Sequence, residues 1–297
     1  MRVSTVYVLV AISAFFWGAN FVLAGTILAD LTPLWAAAAR FLLAAALMLS
    51  IAGLRGEDLA GLARRHAGAY LLLGTVGIAG FNLLFFAAMR ETSADNGALI
   101  MATNPLLTAL LAGFLLAEWP SARQWLALPV ALIGVAIVVA QGDLQRLVGL
   151  RVAAGDWLML AANLAWAGYN VLGRRYMPKA SLLGNTALLM VVGAGVLLAA
   201  ALGSGAPLGA LGARAGLSLA AMVVGGTVLA YLFWNLGIRH LGAGRTAIFL
   251  NLVPVFAMLL GLALGTPPTW AQIAGGLLVL GAISVAMLPV RRPAASS

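Results

Sequence analysis

Eight carboxylates, two histidines and no cysteine make up most of the reactive side chains in this 297-residue sequence. Asp30, Glu57, Asp58, Glu91, Asp95, Glu118, Asp143, Asp156, His66 and His240 all fall in loops or at the ends of apolar runs. None converges with another as an acid–base pair, and neither metal-ligand spacing nor a nucleophilic triad is present. Without cysteine there is no disulfide framework and no thiol chemistry. Gly242-Ala243-Gly244-Arg245-Thr246-Ala247 fits the dinucleotide pattern GxGxxA, but no soluble strand–helix unit surrounds it, so it reads as a tight connection between two apolar segments. No Walker motif occurs, which argues against ATP drive from this chain. These patterns predict a binding protein, with no catalytic residues, metal or cofactor.

The binding groups are of another kind. Asparagines and large amphipathic rings recur inside apolar segments, where they are costly unless they face protein or a watery cavity. Trp17, Asn20, Asn82, Met101, Asn104, Trp166, Tyr169, Tyr231, Asn235 and Asn251 are the expected lining of a central substrate cavity. Asn163, Asn170 and Trp234 share the pattern. Trp17 and Asn20 are three apart and share a helix face, as do Trp166 with Tyr169 and Tyr231 with Asn235. About half of the asparagines are expected to be interhelical glue. Trp35, Trp119, Trp125, Trp157 and Trp270 lie near segment ends and read as an interfacial belt.

The elements that position these residues follow from composition. Residues are 63% hydrophobic and 8% charged, whereas a soluble domain carries roughly a quarter charged. Such a chain covers its surface with lipid. A span needs about 20 mostly apolar residues, and ten can be cut: 4–29, 33–54, 67–89, 95–117, 123–141, 154–175, 182–203, 216–238, 243–265 and 269–290. The signal-like start, Met1-Arg2 before an apolar stretch over 6–16, continues to about Leu28 and reads as an uncleaved first span. The net charge of +9 is scattered between spans, which excludes a nucleic-acid face. With both termini cytoplasmic, twelve basic residues lie inside and four outside (Arg90, Arg146, Arg151, Arg214), as the positive-inside rule requires. Arg40 alone sits within a span. It either snorkels or bonds helix carbonyls, or it meets a substrate carboxylate.

The chain also resembles itself. At a shift of 150, Gly18-Ala19-Asn20 falls on Gly168-Tyr169-Asn170; at 149, Arg90, Ala94, Ala98 and Pro105 fall on Arg239, Ala243, Ala247 and Pro254. Because five is odd, a second five-span copy enters from the opposite side. The expected fold is therefore an all-α polytopic membrane protein of ten helices in two inverted repeats, residues 1–146 and 147–297. Inverted repeats give one fold two pseudo-equivalent states, open to either side. Pro105 and Pro254, each near mid-span, are expected hinges. Trp17, Arg40 and Glu118 are expected to be points of asymmetry that the repeat does not explain.

These residues carry a family likeness. Trp17-Gly18-Ala19-Asn20, Arg40-Phe41, Leu84-Phe85-Phe86-Ala87-Ala88, Thr92-Ser93-Ala94, Asn104-Pro105-Leu106 and Glu118 in the first half, with Gly237-x-x-x-Leu241-Gly242-Ala243 and Leu252-Val253-Pro254-Val255 in the second, resemble the EamA-type transporters of the drug/metabolite transporter superfamily. Within them, the chain is similar to bacterial exporters of amino acids, including aromatic ones. The likeness covers 5–289 and departs where Gly265-Thr266-Pro267-Pro268 offers no match for Glu118. It implies export of small metabolites through a central cavity in a bacterial inner membrane. The absence of a buried acid or histidine relay points to a facilitator. The expected partners are a small solute, amino acids first, and the lipid bilayer; a monomer is compatible with this reading, and the sequence does not set the oligomeric state. Other metabolites or hydrophobic drugs are the alternative cargo, and a membrane enzyme or receptor the alternative class.

Overall fold

The computed structural model describes residues 1–143, 145 and 153–288. Arg146, Arg151, Arg291, Arg292, the 146/147 boundary and the end of the last expected span at 290 lie outside the described residues. Among the described residues the regular structure is helical: α1 (Val3–Leu28), α2 (Pro33–Leu54), α3 (Leu59–Ala88), α4 (Asp95–Leu116), α5 (Ala122–Ala140), α6 (Ala154–Tyr176), α7 (Leu182–Gly203), α8 (Ala213–Leu241), α9 (Ala243–Ala263) and α10 (Trp270–Met287). Among the described residues, all but α6 are long and apolar enough to cross a membrane, nine in number. α6 has 23 residues but carries Asp156, Asn163, Asn170, Arg174 and Arg175, which lower its hydropathy.

Local chemistry explains the helix starts. Pro33 opens α2, where its missing N–H is not needed. α5 and α10 begin with the same reciprocal cap, Ser121 with Gln124 and Thr269 with Gln272. α3 starts eight residues before the expected position 67. Its first turns, capped by Asp58 accepting from Gly61 N at 2.7 Å, expose Arg64 and Arg65 and so escape a hydropathy reading. They are set off by a kink at His66 (φ −129°, ψ 26°), after which the apolar stretch begins.

Breaks in the α-helical ladder recur at matching places. α3 is π-helical over Gly74–Gly80 and α8 over Met222–Leu229. Such wide turns within α-helices often mark functional positions. α4 breaks at Thr103, just before Pro105, and α9 passes through a 3-10 turn at Ile248–Asn251, just before Pro254. Each proline thus follows a ladder that has already opened.

α2 packs along α7, and α5 along α10; α1 packs on α8 and α9, and α6 on α3 and α4. Advancing every helix number by five turns this set of neighbours into itself. α5 and α10 approach closely, where a Cβ on Gly134 would stand 2.7 Å from the Gly275 carbonyl oxygen and one on Gly275 would stand 2.6 Å from that of Gly134. Backbone touches backbone there, the packing that small residues permit between membrane helices. Large apolar side chains such as Phe21, Leu126, Leu217 and Leu277 point outward, as a lipid-facing surface requires. Of the expected belt, Trp119, Trp125, Trp157 and Trp270 are exposed, whereas Trp35 is partly buried and donates to the Ala206 carbonyl at 2.8 Å.

Candidate functional site

Where α1 and α6 meet, between α3 and α8, six rings form one cluster. Trp17 stands edge-on to Trp166 at 5.4 Å between centroids and to Tyr231 at 6.0 Å, and lies 4.8 Å from Trp234. Trp166 stacks on Tyr169 at 5.2 Å and lies 5.3 Å from Phe81. Edge-on and offset pairs of this kind contribute about 0.5–1.5 kcal/mol each beyond their buried area. Three of the polar edges are satisfied: Trp17 Nε1 donates to the Gly226 carbonyl at 3.1 Å, Trp234 Nε1 to Asn170 Oδ1 at 2.8 Å, and Tyr169 OH to Asn235 Oδ1 at 2.6 Å. Four of the expected lining residues, Trp17, Trp166, Tyr169 and Tyr231, are therefore brought together. Trp234 and Phe81 complete the cluster. Phe81 carries no polar atom, so a search for costly groups in lipid passes over it.

The expected open cavity is filled by these rings. Trp166, Tyr169, Tyr231 and Trp234 are each 4% exposed or less. Two open volumes lie toward opposite ends of the bundle. One, of about 240 Å³, is lined by Glu118, Gln124, Arg174, His240 and Arg245 where α4, α6 and α8 end. The other, of about 50 Å³, is lined by Ala24, Arg40, Phe86 and Met222 toward the ends of α1 and α3.

The asparagines divide. Asn104 Nδ2 donates to Asn163 Oδ1 at 2.6 Å, and its Oδ1 accepts from Thr108. Asn163 Nδ2 donates to the Ile100 carbonyl at 2.6 Å, beside the break before Pro105. Asn235, between Tyr169 and Thr186, is likewise engaged. Asn104 and Asn235 thus bind helix to helix rather than offer free groups to a solute. Asn82 accepts from Arg40 and donates to the Ile78 carbonyl. Asn20 Oδ1 and Asn251 Oδ1 are buried without a partner. Met101 is partly buried and precedes the break in α4.

Trp17 does have a counterpart. The offset of 149 that sets Pro105 on Pro254 also sets Trp17 on Trp166, Asn20 on Tyr169 and Gly77 on Gly226. The contacts follow the same rule. The Tyr169 ring lies against Gly77, where a Cβ would stand 2.1 Å from Cδ2, and the Asn20 amide lies against Gly226, where one would stand 2.0 Å from Oδ1. Aligning Asn20 with Asn170, as an offset of 150 does, is not supported by contacts, since Asn170 bonds Trp234 and Thr108.

Glu118 closes the other end. Its Oε1 accepts from Arg174 Nε at 3.0 Å, and Arg174 NH1 donates to the Arg239 carbonyl at 2.8 Å, tying the ends of α4, α6 and α8. Both charged side chains remain more than a third exposed, at 36% and 37%, so the pair contributes no more than about 1 kcal/mol. Glu118→Gln is expected to lower the melting temperature by no more than about 2 °C. Gly242→Ala, at φ +88° and ψ 164° with a Cβ 2.9 Å from Glu118 Oε2, is expected to lower it further, because that backbone region suits glycine almost alone. Thermal unfolding of the purified protein checks both; an equal drop would show that the ion pair is worth more than its exposure allows.

A helical bundle with a closed ring cluster between openings toward opposite ends is the architecture of a membrane transporter. The sequence comparisons agree. The EamA-like transporter family is matched over residues 4–140 and 153–288, and the chain belongs to that family. It is 38% identical to the uncharacterized transporter YyaM of Bacillus subtilis over 99% of this chain and 97% of that protein. It is 28% identical to a protein named probable amino-acid metabolite efflux pump from Salmonella typhimurium over 94% of each. A solved crystal structure of a protein superposes with a TM-score of 0.81 over 97% of both chains at 19% identity, a likeness of fold.

Proposed function

We propose that the protein exports amino acids of varied side chain, aromatic ones included, across the bacterial inner membrane by alternating access. The reading counts ten spans in two inverted halves, 1–146 and 147–297, with both termini cytoplasmic. α6 supplies the tenth: its 23 residues extend about 34 Å, and Asn163 and Asn170 bond α4 and α8 instead of facing lipid. The neighbour pattern that maps onto itself and the paired π-helical stretches support the inversion, and the breaks before Pro105 and Pro254 support a hinge role for the prolines. The basic residues, twelve against four, support the orientation.

The observation that carries the proposal is the Trp17–Trp166 pair. Two residues 149 apart meet at 5.4 Å, as expected at a pseudo-symmetry axis, and with Tyr169 and Tyr231 they form a surface suited to neutral and aromatic side chains. The name of the Salmonella relative supports the substrate class. Among the described residues no acid lies deep in a span to serve as a proton relay, which supports uncoupled flux.

Purified protein in liposomes, assayed with a panel of labelled amino acids and no pH gradient, is expected to show efflux down each substrate's own gradient. Trp17→Ala and Trp166→Ala are each expected to reduce it at least about tenfold, a loss of roughly 1.4 kcal/mol of solute interaction. Efflux of no amino acid would overturn the substrate class, flux tracking the pH gradient would overturn the facilitator, and unchanged flux in both variants would overturn the site.

A further inference from the structure

Among the described residues, Arg40 is the one charged side chain set well within a helix of the bundle, and it bonds no carboxylate. Its NH2 donates to Asn82 Oδ1 at 3.3 Å, its guanidinium lies 4.6 Å from the Phe41 ring centroid, and its Nε is buried with no acceptor. Phe41 in turn stands edge-on to Tyr231 of the central cluster at 5.9 Å. A guanidinium in these surroundings remains charged, and burying it without an anion is unfavourable.

Four helices converge there in register. Ala24, Ala36, Phe86 and Met222 wall the small opening above Arg40. One turn deeper on the same faces stand Asn20, Arg40, Asn82 and Gly226. Of these, Arg40 lines the apolar mouth itself; its Nε is an unused donor, and Asn20 Oδ1, packed against Gly226 at the same level, is an unused acceptor. In the other half, at the offset of 149, Leu189 stands for Arg40, Tyr231 for Asn82 and Tyr169 for Asn20. Packing does not require a charge at this level, because the equivalent positions achieve it with a leucine and two tyrosines. The opening of about 50 Å³ has room for a carboxylate-sized group.

We infer that Arg40 and Asn20 form a one-sided site for a zwitterion, Arg40 taking the α-carboxylate and Asn20 Oδ1 the α-ammonium, with Asn82 holding the guanidinium in position. The assignment of an amino acid rests on the function proposed above; the carboxylate anchor does not. A planar guanidinium presents two parallel N–H groups to a carboxylate, a strong and directional contact, and an amide of the same shape lacks the matching charge.

The test is ligand binding to the purified wild-type protein, read by quenching of tryptophan fluorescence, with 3-phenylpropionate and 3-phenylpropanamide as probes. The acid is expected to bind roughly 10–100-fold more tightly than the amide, the range for a charge-assisted bond. Arg40→Gln is expected to abolish that preference, chiefly by weakening the acid, and Arg40→Lys to restore part of it. Asn82→Ala is expected to weaken the acid alone. Equal binding of acid and amide by the wild type, or a preference that survives Arg40→Gln, would overturn the anchor. An acid preference in a protein that moves no amino acid would retain the anchor and refute only the substrate class.

Discussion

Gly275→Val is expected to leave a protein that scarcely survives purification, with a melting temperature lower by about 5 °C or more. At the α5–α10 crossing the neighbours of a new Cβ are the Gly134 carbonyl oxygen at 2.6 Å and the Ile137 and Val138 side chains at 3.0 Å. A flexible side chain could turn aside, but a backbone carbonyl can yield only if the whole helix moves. Overpacking costs about 1–3 kcal/mol in a well-packed core and more where nothing relaxes, and in a chain of this size each kcal/mol is worth about 2 °C. Gly281 is the internal control, since a Cβ there meets nothing within 4 Å. Gly281→Ala is expected to be neutral or to raise the melting temperature slightly, as alanine loses less backbone freedom on folding. Thermal unfolding in detergent checks the pair, and a Gly275→Val melt within about a degree of wild type would refute the crossing.

Gly77→Val is expected to affect the centre of the molecule. Its Cβ would fall 2.1 to 2.7 Å from Cδ2, Cγ and Cβ of Tyr169. Because Cβ of the tyrosine is itself in the way, a rotation about its side-chain bonds cannot fully relieve the clash. The ring must leave, taking its hydrogen bond to Asn235 with it and stranding a buried amide oxygen at a cost of about 1–3 kcal/mol. Flux is expected to fall at least about tenfold. Adding Tyr169→Ala should recover stability without recovering flux. The coupling between the two changes should exceed about 1 kcal/mol, as it does for residues in direct contact. Independent effects in the double variant would show that the two do not touch.

Much of the helix layout could be read from sequence, because apolar length and capping residues are local properties. The starts of α2, α6 and α7 fall at the expected residues. α3 begins earlier because its exposed amphipathic turns are helical without being apolar. The π-helical stretches left only a weak trace, in the glycines of Gly74–Gly80 and Met222–Leu229, since backbone register is set by neighbouring helices. The site divided on the same principle. Spacing along a helix shows that Trp166 and Tyr169 share a face, and an offset shows which residues correspond, but neither shows which faces meet. Asn20 and Asn104 look equivalent in sequence, as amides in apolar runs. Only tertiary contacts show that Asn104 is held by Asn163 and Thr108 while Asn20 Oδ1 has no partner.

If flux is uncoupled, as proposed, the exchange of Arg40, Asn82 and Asn20 for Leu189, Tyr231 and Tyr169 between the halves carries a kinetic consequence. An uncoupled carrier cannot alter the equilibrium of its solute, so the ratio of maximal rate to half-saturation must be equal from both faces. A polar foothold near one face alone then makes that face saturate early and turn over slowly, while the other saturates late and runs fast. The molecule would not pump, yet it would behave as a drain whose two mouths respond to different ranges of concentration.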